Sequence, residues 1–187
     1  MVLILLWIAA AVVVGLLAGG RLRDFPTVRL RWGWLAAIGI VLQYVWIRGP
    51  FALPVLLASY AVLLFFVATN LRAPGFGVIL VGLALNALVI ATNQGMPVTQ
   101  HALDASGQAG AISSLRSNAE GQKHVLAGDG TVLLPLADVI AIGGPVDEVV
   151  SIGDVFLYTG IAWFVIAAMR KPRGARTSAA EALEGRP

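Results

Sequence analysis

The sequence predicts an all-α polytopic membrane protein, with five transmembrane helices and a small extracytoplasmic cap that contains a β-hairpin. Three observations lead there. The chain is 58% hydrophobic and only 12% charged, whereas soluble domains carry roughly 25% charged residues. Its apolar residues gather into five continuous runs, each close to the roughly 20 residues that a helix needs to cross a bilayer. Those runs do not alternate as barrel strands would, and in lipid a helix satisfies every backbone polar group internally.

The first run, residues 1–18, opens on Met1-Val2-Leu3-Ile4 with no basic residue ahead of it. A cleaved signal carries its positive charge before the apolar stretch. Here Arg21, Arg23, Arg29 and Arg31 follow it instead, so a retained helix is expected. Residues 32–48, 51–69 and 76–93 supply the second, third and fourth helices, and residues 149–169 the fifth. Around the fourth, Gly75-x-Gly77 and Gly82-x-x-x-Asn86 offer small residues for close contact. Asn86 and Gln43 are lone polar positions suited to hydrogen bonds between helices.

Lysine and arginine in short loops mark the cytoplasmic side. Ten of the 13 basic residues lie in the loop 19–31, at Arg72, or from Arg170 onward; Arg48, Arg116 and Lys123 face the other way. The expectation is a multi-pass protein of the cell membrane with its N-terminus outside and its C-terminus cytoplasmic. Residues 1–171 form one integral membrane domain, and 172–187, rich in Pro, Gly, Ser and mixed charge, are expected to be disordered. The net charge of +3 is explained by this arrangement at helix ends, so the partner it implies is the lipid bilayer and not nucleic acid.

The external segment, 94–148, holds six of the ten acidic residues and both histidines. Residues 99–122 are rich in Ala, Ser, Gly and Gln, which suggests a mobile loop with one short helix. From Lys123 the pattern tightens, and apolar runs flank Gly128-Asp129-Gly130. That is a hairpin signal. Residues 133–142 are expected to dip toward the headgroups.

Two carboxylates stand out chemically. Asp154 lies within the first turns of the fifth apolar run, where an acid costs a few kcal/mol and usually faces a cavity or a partner. Ser151-Ile-Gly-Asp154 also fits a helix capping box, which would account for the acid by itself. Asp138 sits among Leu133-Leu-Pro-Leu-Ala and Val-Ile-Ala-Ile. Two carboxyls sharing one site cannot both ionise easily, so one becomes an acid and the other a base, able to activate water. Asn93 and Gly95, in Asn93-Gln-Gly-Met-Pro97, end the fourth helix and could present donors to a substrate carbonyl; Ser151 flanks the pair.

The remaining motifs exclude more than they suggest. With no cysteine, disulfides and thiol chemistry are ruled out. His101, His124, Asp104 and Asp129 match no tight ligand spacing, so neither metal nor other cofactor is expected. Lys123 and His124 could equally contact lipid headgroups. There is no phosphate-binding glycine loop and no serine elbow.

Two resemblances follow from these residues. Gly20-Arg21-Leu22, Asn93-Gln-Gly-Met-Pro97, Lys123-His124, Leu136-Ala-Asp138 and Ser151-Ile-Gly-Asp154 together resemble an uncharacterised family of small bacterial membrane proteins, which implies no activity. Leu136-Ala-Asp138-Val-Ile and Ser151-Ile-Gly-Asp154-Val-Phe-Leu-Tyr-Thr-Gly160 also resemble the C-terminal part of lipoprotein signal peptidase. That resemblance implies catalytic roles for Asp138 and Asp154 and covers about 30 residues. Ser151-Ile-Gly stands where that family has Asn-x-Ala, and the fourth helix lacks its G-N-x-x-D-R pattern.

The expectation that follows is an aspartyl-type membrane hydrolase. Asp138 and Asp154 would be catalytic, Asn93, Gly95 and Ser151 would bind substrate, and the substrate would be a membrane-anchored peptide or lipid-linked molecule. The alternatives are a non-enzymatic membrane subunit or assembly factor docking a protein partner through the cap and, third, a small transporter, for which inverted repeats are missing.

Overall fold

The computed structural model describes residues 2–22, 29–44, 49–117 and 123–170. Five apolar helices dominate it: α1 (Val2–Leu17), α2 (Gly33–Tyr44), α3 (Ala52–Thr69), α4 (Phe76–Asn93) and α7 (Ile152–Met169). Of these, α3, α4 and α7 are 18 residues long and apolar enough to cross a membrane, while α1 and α2 are shorter. The expected continuation of the second helix to residue 48 lies outside the described residues, as do Arg48 and the tail 172–187.

The cap between α4 and α7 is built from β1 (Met96–Val98), α5 (Gln100–Ala105), α6 (Ala111–Ser117), β2 (His124–Leu126), a 3-10 turn (Leu134–Leu136), β3 (Ile140–Ile142) and β4 (Glu148–Val150). Two short helices therefore occupy much of the stretch expected to be a loop with one. The hairpin also lies elsewhere than expected. Thr131 closes a tight turn onto Gly128 through its backbone N–H and its hydroxyl, at 3.0 and 2.9 Å, but the chain does not return as a strand. Leu133 then takes a left-handed backbone and Pro135 opens the 3-10 turn. A proline cannot donate to a strand ladder, so β2 pairs in parallel with β1, Met96 opposite His124. The antiparallel hairpin is β3 with β4, Ile140 opposite Val150, joined by a loop in which Gly144 takes φ +80°.

This hairpin also moves the start of the last helix. Val149 and Val150 belong to β4, so α7 begins only after Ser151. Asp154 thus sits in its first turn and not deeper in the span.

The helices pack by glycine. Gly75, at the start of α4, and Gly82 within it face Gly160 and Gly153 on α7; a Cβ at Gly82 would meet the Gly153 carbonyl oxygen at 2.5 Å, and one at Gly160 the Gly75 carbonyl oxygen at 2.8 Å. Seven residues make about two helical turns, so each pair lies on one face. Close backbone approach of this kind is how helices associate in lipid, where apolar burial offers no advantage. At the opposite end from the cap, Phe76 packs edge-on between Phe66 and Phe164, with centroids 5.7 and 5.3 Å away, joining α3, α4 and α7.

Candidate functional site

Where α7 starts, Ser151 and Asp154 form the capping box that the sequence suggested. The Ser151 hydroxyl accepts from the Asp154 N–H at 3.0 Å, and Asp154 Oδ2 accepts from the Ser151 N–H at 3.0 Å. The site does not end there. Asn86 reaches across from α4, donating from Nδ2 to Asp154 Oδ1 at 2.8 Å and accepting from the Ser151 hydroxyl at 2.9 Å. A carboxylate accepts only, so it must take the amide nitrogen, which turns the amide oxygen toward Ser151. Tyr60, buried on α3, lies close enough to feel Asn86 and the charge of Asp154. Three helices thus converge on Asp154. Gly153 permits this approach, because a Cβ there would collide with the Asn86 amide oxygen.

Asp138 arrives from the cap. Its N–H donates to the Pro97 carbonyl at 2.9 Å and its carbonyl accepts from the Thr99 N–H at 3.3 Å, so it bridges the free edge of β1 opposite β2. The residue is 4% exposed. Its Oδ2 stands 3.6 Å from His124 Nε2, while Oδ1 is buried without a hydrogen-bond partner among the described residues. Burial pushes the Asp138 carboxyl up to about 8, and the charge of Asp154 adds to that rise against the opposing effect of Lys123. Asp138 is therefore protonated at pH 7 and lies within the field of Asp154. Burial likewise lowers His124, to about 4, with Lys123 acting in the same direction and Asp154 against it. Its side chain keeps 44% of its surface, and an imidazole at or below its ordinary value of 6.5 is mostly neutral at pH 7.

Asn93 and Gly95, also expected at the site, are held by other partners. Asn93 Nδ2 donates to the carbonyls of Val89 and Val132 at 2.8 and 2.9 Å, and its Oδ1 accepts from the Val132 N–H at 2.8 Å. Its amide pins the loop before the 3-10 turn to the end of α4. Gly95 closes that helix, donating to the Ile90 carbonyl at 3.1 Å. Neither forms a hydrogen bond with Asp138 or Asp154 among the described residues, whereas Ser151 bonds Asp154 directly.

A family of unknown function (DUF5317) matches residues 27–166. The chain belongs to that family. Tyr60, Asn86, His124, Asp138, Ser151 and Asp154 all fall inside the DUF5317 match, whereas α1 lies before it. No curated protein and no solved structure matches the chain.

Three members of this cluster went beyond what the sequence suggested. Asn86 stood out as a lone polar residue, but its partners are 65 and 68 positions away. Tyr60 gave a weaker signal, a phenol inside an apolar run that must find a hydrogen-bond partner when buried. His124 could not be assigned without knowing that β2 and Asp138 flank β1.

Proposed function

We propose that the chain is an aspartyl-type membrane hydrolase, with Asp138 as the acid and Asp154 as the base. It is an integral protein of the cell membrane that crosses five times, with its N-terminus outside and its C-terminus cytoplasmic. The observation that carries the reading is the buried Asp138 carboxyl, with one oxygen left without a partner among the described residues and the charge of Asp154 acting on it. Structural carboxyls in protein interiors are normally satisfied, and an unsatisfied one costs stability. A buried carboxyl held protonated is suited to act as an acid, and a carboxylate held by donors at a helix start to act as a base.

The chemistry then divides between them. With the Ser151 hydroxyl proton given to Asn86, Asp154 accepts from the Asn86 amide on Oδ1 and from the Ser151 N–H on Oδ2, which leaves Oδ1 an acceptor position for water. That water loses a proton to Asp154 as its oxygen bonds to the scissile carbonyl carbon. Asp138 gives its proton to the leaving amine or alcohol as the carbonyl–heteroatom bond breaks. Asp154 then releases its proton to water and Asp138 takes one up, which restores the pair.

The substrate class follows from location. Asp154 lies at the start of an apolar helix long enough to span, and the loop beside it exposes Val132, Leu133 and Leu134. A membrane-anchored peptide or lipid-linked ester would meet the pair at that level without leaving the bilayer. The test is cleavage of a quenched fluorogenic lipopeptide and of a lipid-linked ester by the purified full chain in micelles. Wild type is expected to cleave one of them, and Asp138→Asn and Asp154→Asn to lose at least about 100-fold. An inert wild type, or an Asp138→Asn variant with full activity, ends this reading.

The exposed Val132, Leu133, Leu134 and Ile140 favour one second reading, a non-enzymatic subunit that docks a protein partner through the cap. In that case Leu133→Asp would abolish association, while Asp138→Asn would leave it intact.

A further inference from the structure

We propose that His124 is the proton relay of this site, the group through which the buried Asp138 carboxyl exchanges its proton with water beyond the cap. This rests on the reading of Asp138 as the acid of the pair. An acid that gives up a proton in each turnover must regain one, and Asp138 at 4% exposure cannot draw it directly from solvent. His124 Nε2 lies 3.6 Å from Asp138 Oδ2. A displacement of about half an ångström brings that pair to hydrogen-bond length, while 44% of the His124 side chain stays open.

The other charged or titratable groups around the acid are poorly suited to the task. Lys123 just before β2, Asp154 and Tyr158 on α7, and Tyr60 on α3 all act electrostatically on Asp138 or feel its charge. A charged lysine has no acceptor. Asp154 is engaged by Ser151 and Asn86. Tyr60 is buried within the bundle, and Tyr158 stands in an apolar span against Trp7. Among the described residues, His124 alone combines contact with Asp138, two nitrogens that can each carry a proton, and an open surface.

The transfer balances simply. Asp138 passes its proton from Oδ2 to Nε2, giving a carboxylate and an imidazolium. The imidazolium releases a proton from Nδ1 to water, leaving the tautomer protonated on Nε2. In reverse, water protonates Nδ1 and the Nε2 proton returns to the carboxylate. A neutral imidazole is the form that can accept, and the ring is mostly neutral at pH 7.

The experiment follows the Asp138 carboxyl band by infrared spectroscopy on the full chain in lipid nanodiscs, with Asp138→Asn fixing the assignment. A pH jump is centred on whatever midpoint the wild type shows, and the relaxation rate of that band is recorded. His124→Ala is expected to slow the relaxation at least about tenfold, and added imidazole to restore it. His124→Gln, closer in size, serves should the alanine variant misfold, and is expected to be slow as well. Relaxation at the wild-type rate, or slow relaxation that imidazole does not change, overturns the relay. A wild-type midpoint near the ordinary carboxylate value overturns the acid assignment instead, and the comparison of rates still judges the relay by itself.

Discussion

Asp138 concentrates the tension in this molecule in a single side chain. Its carboxyl is buried with one oxygen unpartnered, which is tolerable only while it keeps its proton. In the folded chain it does so up to about pH 8, against an ordinary value of 3.8. Between those two values the folded state binds more protons than the unfolded state. Stability therefore falls as pH rises. The contribution is complete below about pH 4, and it is lost as pH climbs through the folded value near 8. Each unit of difference corresponds to about 1.4 kcal/mol, so the whole window is worth a few kcal/mol. Thermal unfolding in detergent, followed by tryptophan fluorescence at several pH values, checks this. The wild-type midpoint should drop across that window relative to Asp138→Asn, which has no proton to lose. Equal slopes for the two proteins would show that the carboxyl is not protonated as argued.

At the scale of elements, the acid site depends on how closely α4 approaches α7. The same contact that places a Cβ of residue 82 against the Gly153 carbonyl also sets the 2.8 Å bond from Asn86 to Asp154. Gly82→Ala must push the helices apart and is expected to cost about 1–3 kcal/mol, as overpacking usually does. Gly77, on the same helix, has nothing within 4 Å of its Cβ position. Gly77→Ala should be neutral or stabilise by up to about 1 kcal/mol. Equilibrium unfolding of both variants in mixed micelles tests the contrast, and equal effects would remove the close contact from the account.

These elements also show what could be read from the chain and what could not. The apolar helices are legible because hydropathy is a property of each segment alone. The capping box at Ser151 and Asp154 is legible too, since its two partners are three residues apart. The parallel pairing of β1 with β2 left no local trace, because its strands are separated by α5 and α6. A strong local cue, Gly128-Asp129-Gly130, pointed instead to a hairpin that Leu133 and Pro135 prevent. Asp138 was recognisable as unusual among its apolar neighbours, but its contact with His124 belongs to that non-local pairing.

The whole molecule has two poles, and their chemistry sets its orientation. At one, the N–H of Leu3 donates to Glu148 at 3.3 Å, tying the start of α1 to the cap. At the other, the N–H of Arg21 donates to the Met169 carbonyl at 2.9 Å, and the Asn70 amide binds both the N–H and the carbonyl of Arg31, at 2.8 and 2.9 Å. Arg72 and Arg170 lie in the loop after α3 and at the end of α7, on that same side. The chain from Leu3 to Arg21 must therefore run the length of the bundle. This supports a crossing by α1 although it is shorter than α3, α4 and α7, since its 16 residues of helix rise only about 24 Å. The proposed topology places the basic pole in the cytoplasm, as the positive-inside rule expects. With no native cysteine, single substitutions report position without background. Cysteines at Phe51 and Asp129 should react with a membrane-impermeant maleimide in intact cells, and those at Arg21 and Arg72 only after permeabilisation. The inverse pattern would reverse the orientation and place the acid pair at the cytoplasmic face. Labelling of Arg21→Cys in intact cells together with protection of Arg72→Cys would instead mean that α1 does not cross.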